Sequence, residues 1–110
     1  MQVQVNTDHN IEGREALSSW ISGVVETAME RMSDRITRVE VHLSDENSDK
    51  KTGDRDMRCM MEARLEGRKP VAVTNQGATV NEAVDGAAEK LSRLLESTIG
   101  RLQHPKGRAD

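Results

Sequence analysis

The stretch TVNEAVDGAAEKLSRLLESTIGRL, residues 79–102, decides the fold. Its apolar positions Val80, Val84, Ala87, Leu91, Leu94, Leu95, Thr98 and Leu102 recur at steps of three and four, which lays them along one helical stripe. Thr79 followed by Glu82 has the form of a capping box: the hydroxyl accepts a first-turn N–H and the carboxylate reaches back. The far face carries Glu82, Asp85, Glu89, Lys90, Arg93, Glu96 and Arg101, with acidic residues crowding the first half and basic ones the second, an order that suits the helix dipole. Gly86 and Gly100 lower the helix propensity. A helix with one apolar stripe needs a surface to cover it, and the rest of the chain is read for that surface.

Residues 2–6 alternate, with Val3 and Val5 on one side, and predict a short strand. After a loop over 7–13, residues 14 to about 32 turn helical, with a stripe of Leu17, Ile21, Val24, Ala28 and Met32. Trp20, Val25 and Met29 flank that stripe, and Trp20 is expected as a partly buried core residue rather than an interface anchor. From 35 to 44 the period becomes two: Val39, Val41 and Leu43 face inward, Arg38, Glu40, His42 and Ser44 outward. Residues 45–56 are polar and read as a mobile hairpin connection. Residues 57–65 alternate again, with Met57, Cys59, Met61, Ala63 and Leu65 inward, and 71–74 form a fourth strand with Val71 and Val73 inward.

Each strand has one apolar face and each helix one apolar stripe. The economical arrangement is an α+β fold of two layers, β-α-β-β-β-α: a four-stranded sheet with both helices on one face and water on the other. The last three strands should pair as antiparallel hairpins, and the first should lie parallel to a neighbour after a crossover. At 110 residues this makes one domain, expected over 1–102, with 103–110 as a flexible tail containing Pro105 and Gly107.

The composition narrows function. A net charge of −3, from 16 Lys and Arg against 19 Asp and Glu, argues against a generically basic nucleic-acid surface. Trp20 is the only aromatic residue, so a module that stacks splayed bases is not expected. A single cysteine, Cys59, excludes an internal disulfide and argues for a reducing, cytoplasmic setting. No run is apolar enough to span a membrane.

Catalytic signals are absent. His9, His42 and His104 lack partners at metal spacing, and Cys59 falls on an inward face as an inert thiol. Asp45, Glu46 and Asp49 lack the ligand order of a calcium loop, and no phosphate-cradling glycine loop occurs. No enzyme, cofactor, metal or small-molecule substrate is expected. What remains is basic side chains: Arg38, Arg58 and Arg64 on the open sheet face, where Glu40 and Glu62 are set to pair across strands, and Lys90, Arg93 and Arg101 on the last helix. By themselves they read as a solvated surface.

The order of elements, with several local strings, resembles the family of ribosome hibernation-promoting factors and ribosome-associated inhibitors, also described as ribosomal subunit interface proteins. Residues 1–5 (MQVQV) look like that family's first strand, 15–17 (EAL) like the start of its first helix, and 36–41 (ITRVEV) like its second strand. Most specific is NEAVD at 81–85 followed by EKLSRLL at 89–95. The resemblance covers residues 1 to about 102 and matches the short family members. It implies a fold like double-stranded-RNA-binding domains and no catalysis. It also implies binding to the small ribosomal subunit, in the mRNA and tRNA channel, with translation silenced in stress or stationary phase. Lys90 and Arg93 match helix positions that reach ribosomal RNA phosphates, and Arg101, Arg38, Arg58 and Arg64 are the further candidates. Where the family continues with Lys and Arg, this chain has Glu96, Ser97, Thr98 and Gly100. The alternative reading is a protein-interaction or stress-regulatory module that keeps the fold and has lost RNA binding.

Overall fold

The computed structural model describes residues 1–8, 11, 13–46 and 56–103. The expected hairpin loop falls mostly, and the tail beyond 103 wholly, outside the described residues, as do His9, His104 and Asp49. The elements run β1 (Gln2–Thr7), α1 (Arg14–Ala28), a short 3-10 helix (Glu30–Arg35), β2 (Ile36–Asp45), β3 (Met57–Leu65), β4 (Val71–Gly77) and α2 (Val80–Gln103). The sheet order is β1-β2-β3-β4. β1 lies parallel to β2, while β2 with β3 and β3 with β4 are antiparallel, as the alternation and the intervening helix require.

Both helices cover one face. Ile21, Val25 and Met29 enter the core from the first helical region, and Ala83, Val84, Ala87, Ala88, Leu91, Leu95 and Ile99 from α2. They meet the inward row of β2 (Val39, Val41, Leu43) and the row of β3 from Met57 to Leu65. Val3, Val5, Val71 and Val73 close the flanks as partly buried contacts. Among the described residues no polar or charged one is buried, and apolar burial carries the stability of this core.

Four details depart from the sequence reading. The first helix stops at Ala28, and the chain tightens into 3-10 geometry, with Met32 N–H donating to Met29 O at 2.9 Å. This drops Met32 inward and delivers the chain to β2. A register shift between Ile36 and Arg38 is a β-bulge, which lets Ile36 point inward although it shares parity with outward Arg38. β4 continues to Gly77, and Asn75 there donates its amide to Glu82 O (3.1 Å) and Ala83 O (3.3 Å) of α2. Gly86 makes room for that lock, since a Cβ there would stand 2.1 Å from Asn75 Nδ2. Finally, Trp20 is exposed rather than partly buried in the core, because Ile21 and Val25 take the core-facing positions of α1.

The start of α2 follows the expected box with one change. Thr79 Oγ1 accepts from Glu82 N–H at 3.1 Å, while the Glu82 carboxylate accepts from Ala78 N–H, one residue earlier than the usual cap.

Candidate nucleic-acid interface

The register of the sheet sorts the outward charges into rows. Arg38 stands opposite Arg64, Glu40 opposite Glu62, His42 opposite Met60, and Ser44 opposite Arg58. Two of these four cross-strand pairs are therefore like-charged, and the expected Arg–Glu pairing across strands does not form among the described residues. Neutralisation runs along the strand instead: Arg38 Nη2 lies 3.1 Å from Glu40 Oε1, with His42 Nε2 3.9 Å from the same carboxylate. Arg38 and Arg64 come together at one end of the sheet, beside the bulge, where the Thr37 hydroxyl donates to Arg64 O at 2.9 Å. Arg58 sits six residues further along β3, about 20 Å away.

That same end gathers further basic residues. The turn between β3 and β4 holds Arg68 and Lys69, fixed by Gly67 at φ 73 and by Arg68 N–H donating to Leu65 O at 3.1 Å. Arg101, at the C-terminal end of α2, borders a hollow of about 490 Å³ together with Arg68, Lys69 and Pro70. Arg35 and Arg68 share a neighbouring hollow with Glu66 and Ile99. Arg35, Arg64, Arg68 and Lys69 have no ion pair within 4 Å among the described residues, and Arg101 only donates to Ser97 Oγ at 2.9 Å. Cations here also face the negative end of the α2 dipole. Arg35, Arg68 and Lys69 were not singled out from sequence. A Gly-Arg-Lys-Pro turn was the available signal, and it reads first as punctuation.

Lys90 and Arg93 stand apart from this end. Lys90 precedes Arg101 by eleven residues, about 16 Å of helix, and its Nζ donates to Thr74 O on β4 at 3.0 Å. Arg93 leans the other way, into the groove between α1 and α2, and is paired with Glu89 at 2.5 Å. Of the six basic residues expected at a binding surface, the structure brings Arg38, Arg64 and Arg101 to one end and leaves Arg58, Lys90 and Arg93 elsewhere. Cys59 is buried under this layer, and desolvation pushes its thiol from 9.0 up to about 12, which removes it as a nucleophile.

The architecture matches known structures. The chain superimposes on the N-terminal domain of Thermus thermophilus Protein Y with a TM-score of 0.64 at 16% identity, covering 88% of this chain and 94% of that one. A ribosomal subunit interface protein from Coxiella burnetii gives a TM-score of 0.67 at 16% identity, covering 91% and 99%. At such identity these likenesses establish the fold. No individually curated protein matches the sequence. The model of the family described as sigma 54 modulation protein / S30EA ribosomal protein matches residues 4–103, which is nearly every residue from β1 to the end of α2. The protein belongs to this family, that of the hibernation-promoting factors.

Proposed function

We propose that this protein is a non-enzymatic factor that binds the ribosome and silences translation in stress or stationary phase by occupying the mRNA and tRNA channel of the small subunit. Family membership over residues 4–103 carries the reading. The fold shared with the Coxiella ribosomal subunit interface protein is consistent with it. It acts in the cytoplasm through one domain over 1–102, without cofactor, metal or small-molecule substrate.

The contact runs through ribosomal RNA phosphates. Lys90, Arg93, Arg101, Arg38, Arg58 and Arg64 are its candidate residues, and Arg101, Arg38 and Arg64 are favoured. They share an end with Arg35, Arg68 and Lys69, where most guanidinium and ammonium groups have no carboxylate partner. Clustered cations released from internal pairing bind phosphates with gain from counterion release and without reading sequence. An absence of aromatic platforms fits this mode, since Trp20 lies on the helix side of the sheet.

Co-sedimentation with purified small subunits and intact ribosomes across a salt series tests the proposal. Binding that falls steadily with salt is the expected result. No binding at low salt selects the competing reading, a protein-interaction module that has lost RNA contact. The Arg93–Glu89 pair and its acidic surroundings are what favour that second reading.

A further inference from the structure

The two helices do not close over each other along their outer edges. Between them runs an open groove of about 850 Å³, floored by Gly23, Val24, Ala28 and Ala88 and walled on one side by exposed Trp20. The helices touch at its base, where Ser92 Oγ donates to Ala28 O at 3.4 Å. Short side chains keep the floor low, and a Cβ added at Gly23 would meet nothing within 4 Å. The charged rim comes from α2 and is mostly acidic: Asp85, Glu89 and Glu96 against Arg93. Arg93 is tied to Glu89, Glu96 is tied to Arg31, and Asp85 has no ion-pair partner among the described residues.

We propose that this groove docks an amphipathic helix of a protein partner, with an apolar stripe laid on the floor against Trp20 and Lys or Arg side chains flanking the stripe. The shape argues for a helix: from Asp85 to Glu96 the groove runs about 16 Å, three turns of a partner. The charge argues for a basic one. Arg93 offsets Glu89 and Arg31 offsets Glu96, so Asp85 leaves the rim one charge negative, which attracts Lys and Arg and repels nucleic-acid phosphates. A second copy fits poorly, because groove on groove opposes like charges, and this chain's own clustered cations sit on a turn and at element ends rather than beside an apolar helical stripe. An exposed tryptophan beside a low apolar floor is the kind of anchor around which binding energy concentrates. The inference stands apart from the RNA contact, which uses the turn end of the sheet.

Trp20 is the only tryptophan in a chain without tyrosine, so its emission reports the groove directly. The probe is a synthetic tyrosine- and tryptophan-free peptide of about 18 residues, helical by design, with leucines at helical spacing and Lys/Arg flanks. A twin carries Glu in the flanks, and a uridine-rich RNA oligonucleotide serves as the third ligand. The basic peptide should shift Trp20 emission saturably, and the acidic twin and the RNA should not. Gly23→Leu fills the groove at a position with open space and should weaken binding at least about tenfold without lowering the melting temperature. Asp85→Lys, at an exposed helix position, should also weaken it, read by anisotropy of labelled peptide. Equal binding of both peptides, no saturable shift, tighter binding by the RNA, or undiminished binding by Gly23→Leu would overturn the proposal. Concentration-dependent self-association seen by sedimentation and centred on Trp20 would do so as well, in favour of a second copy.

Discussion

The turn end of the sheet and the groove between the helices share the same α2, yet they are opposite in chemistry. At the end, Arg101 from the helix joins Arg68 and Lys69 from the turn, with Arg38 and Arg64 paired in register nearby. In the groove, eight residues before Arg101, Arg93 is held by Glu89 among further carboxylates over an apolar floor. A net charge of −3 therefore averages two surfaces of opposite sign. What separates them is geometry: strand register and a tight turn collect cations on one side, while helical phase collects anions on the other. Composition is a poor guide to what a small domain can bind when its charges are segregated in this way.

Both regions depend on α2 being seated, so the largest effect comes from unseating it. Leu91 is fully buried beneath the helix, and Leu91→Ala should cost about 3 kcal/mol in urea denaturation. The same variant should speed alkylation of Cys59, which is buried on β3 and held protonated with its thiol at about 12. Because that value lies above the 9.0 of an exposed thiol, the associated stability is complete below about pH 9 and is lost as pH rises towards 12. Cys59→Ala should remove that alkaline component from the stability profile.

Charge reversal breaks the comparison more selectively. Changing Arg68, Lys69 and Arg101 together to Glu should lower ribosome binding more than about tenfold and reduce the salt slope by roughly two to three units, with the fold intact by circular dichroism. Arg93→Glu, in the groove and already neutralised by Glu89, should change binding less than about threefold. If the two variants were equal, the contact would include the helix groove, and the division drawn between the regions would fail.

The sequence carried the element order, the inward parity of all four strands and most of the stripe of α2, because period-two and period-3.6 patterns survive in a single chain. It missed what depends on neighbours. Ile36 violates strand parity and is explained only by the bulge at Thr37. Ile99, Ala83 and Ala88 bury although the stripe was drawn through Leu94, Thr98 and Leu102. Small Ala positions and a long helix drifting across a twisted sheet blur the phase. Trp20 flanks the apolar stripe and is expected as a partly buried core residue, but it stands at the surface beside the groove. The interface candidates were half legible for the same reason: Arg38 and Arg64 are far apart in sequence, and only register sets them side by side, while Arg68 and Lys69 join them through a turn and Arg35 from the end of the 3-10 helix.

Two glycines make the smallest and sharpest comparison. Gly23 and Gly86 lie in the interiors of α1 and α2, so intrinsic propensity assigns both the same gain, about 0.8 kcal/mol, on replacement by alanine. Their surroundings differ. Nothing lies within 4 Å of a Cβ at Gly23, whereas a Cβ at Gly86 would displace the Asn75 amide from Glu82 O and Ala83 O. Gly23→Ala should therefore raise stability by nearly the full propensity term. Gly86→Ala should lower it by about 1 kcal/mol, since two hydrogen bonds at roughly 1 kcal/mol each outweigh the gain. Thermal melts of the two variants measure the sign directly. Stabilisation by both would mean that Asn75 swings aside freely, and that β4 is tied to α2 by apolar packing alone.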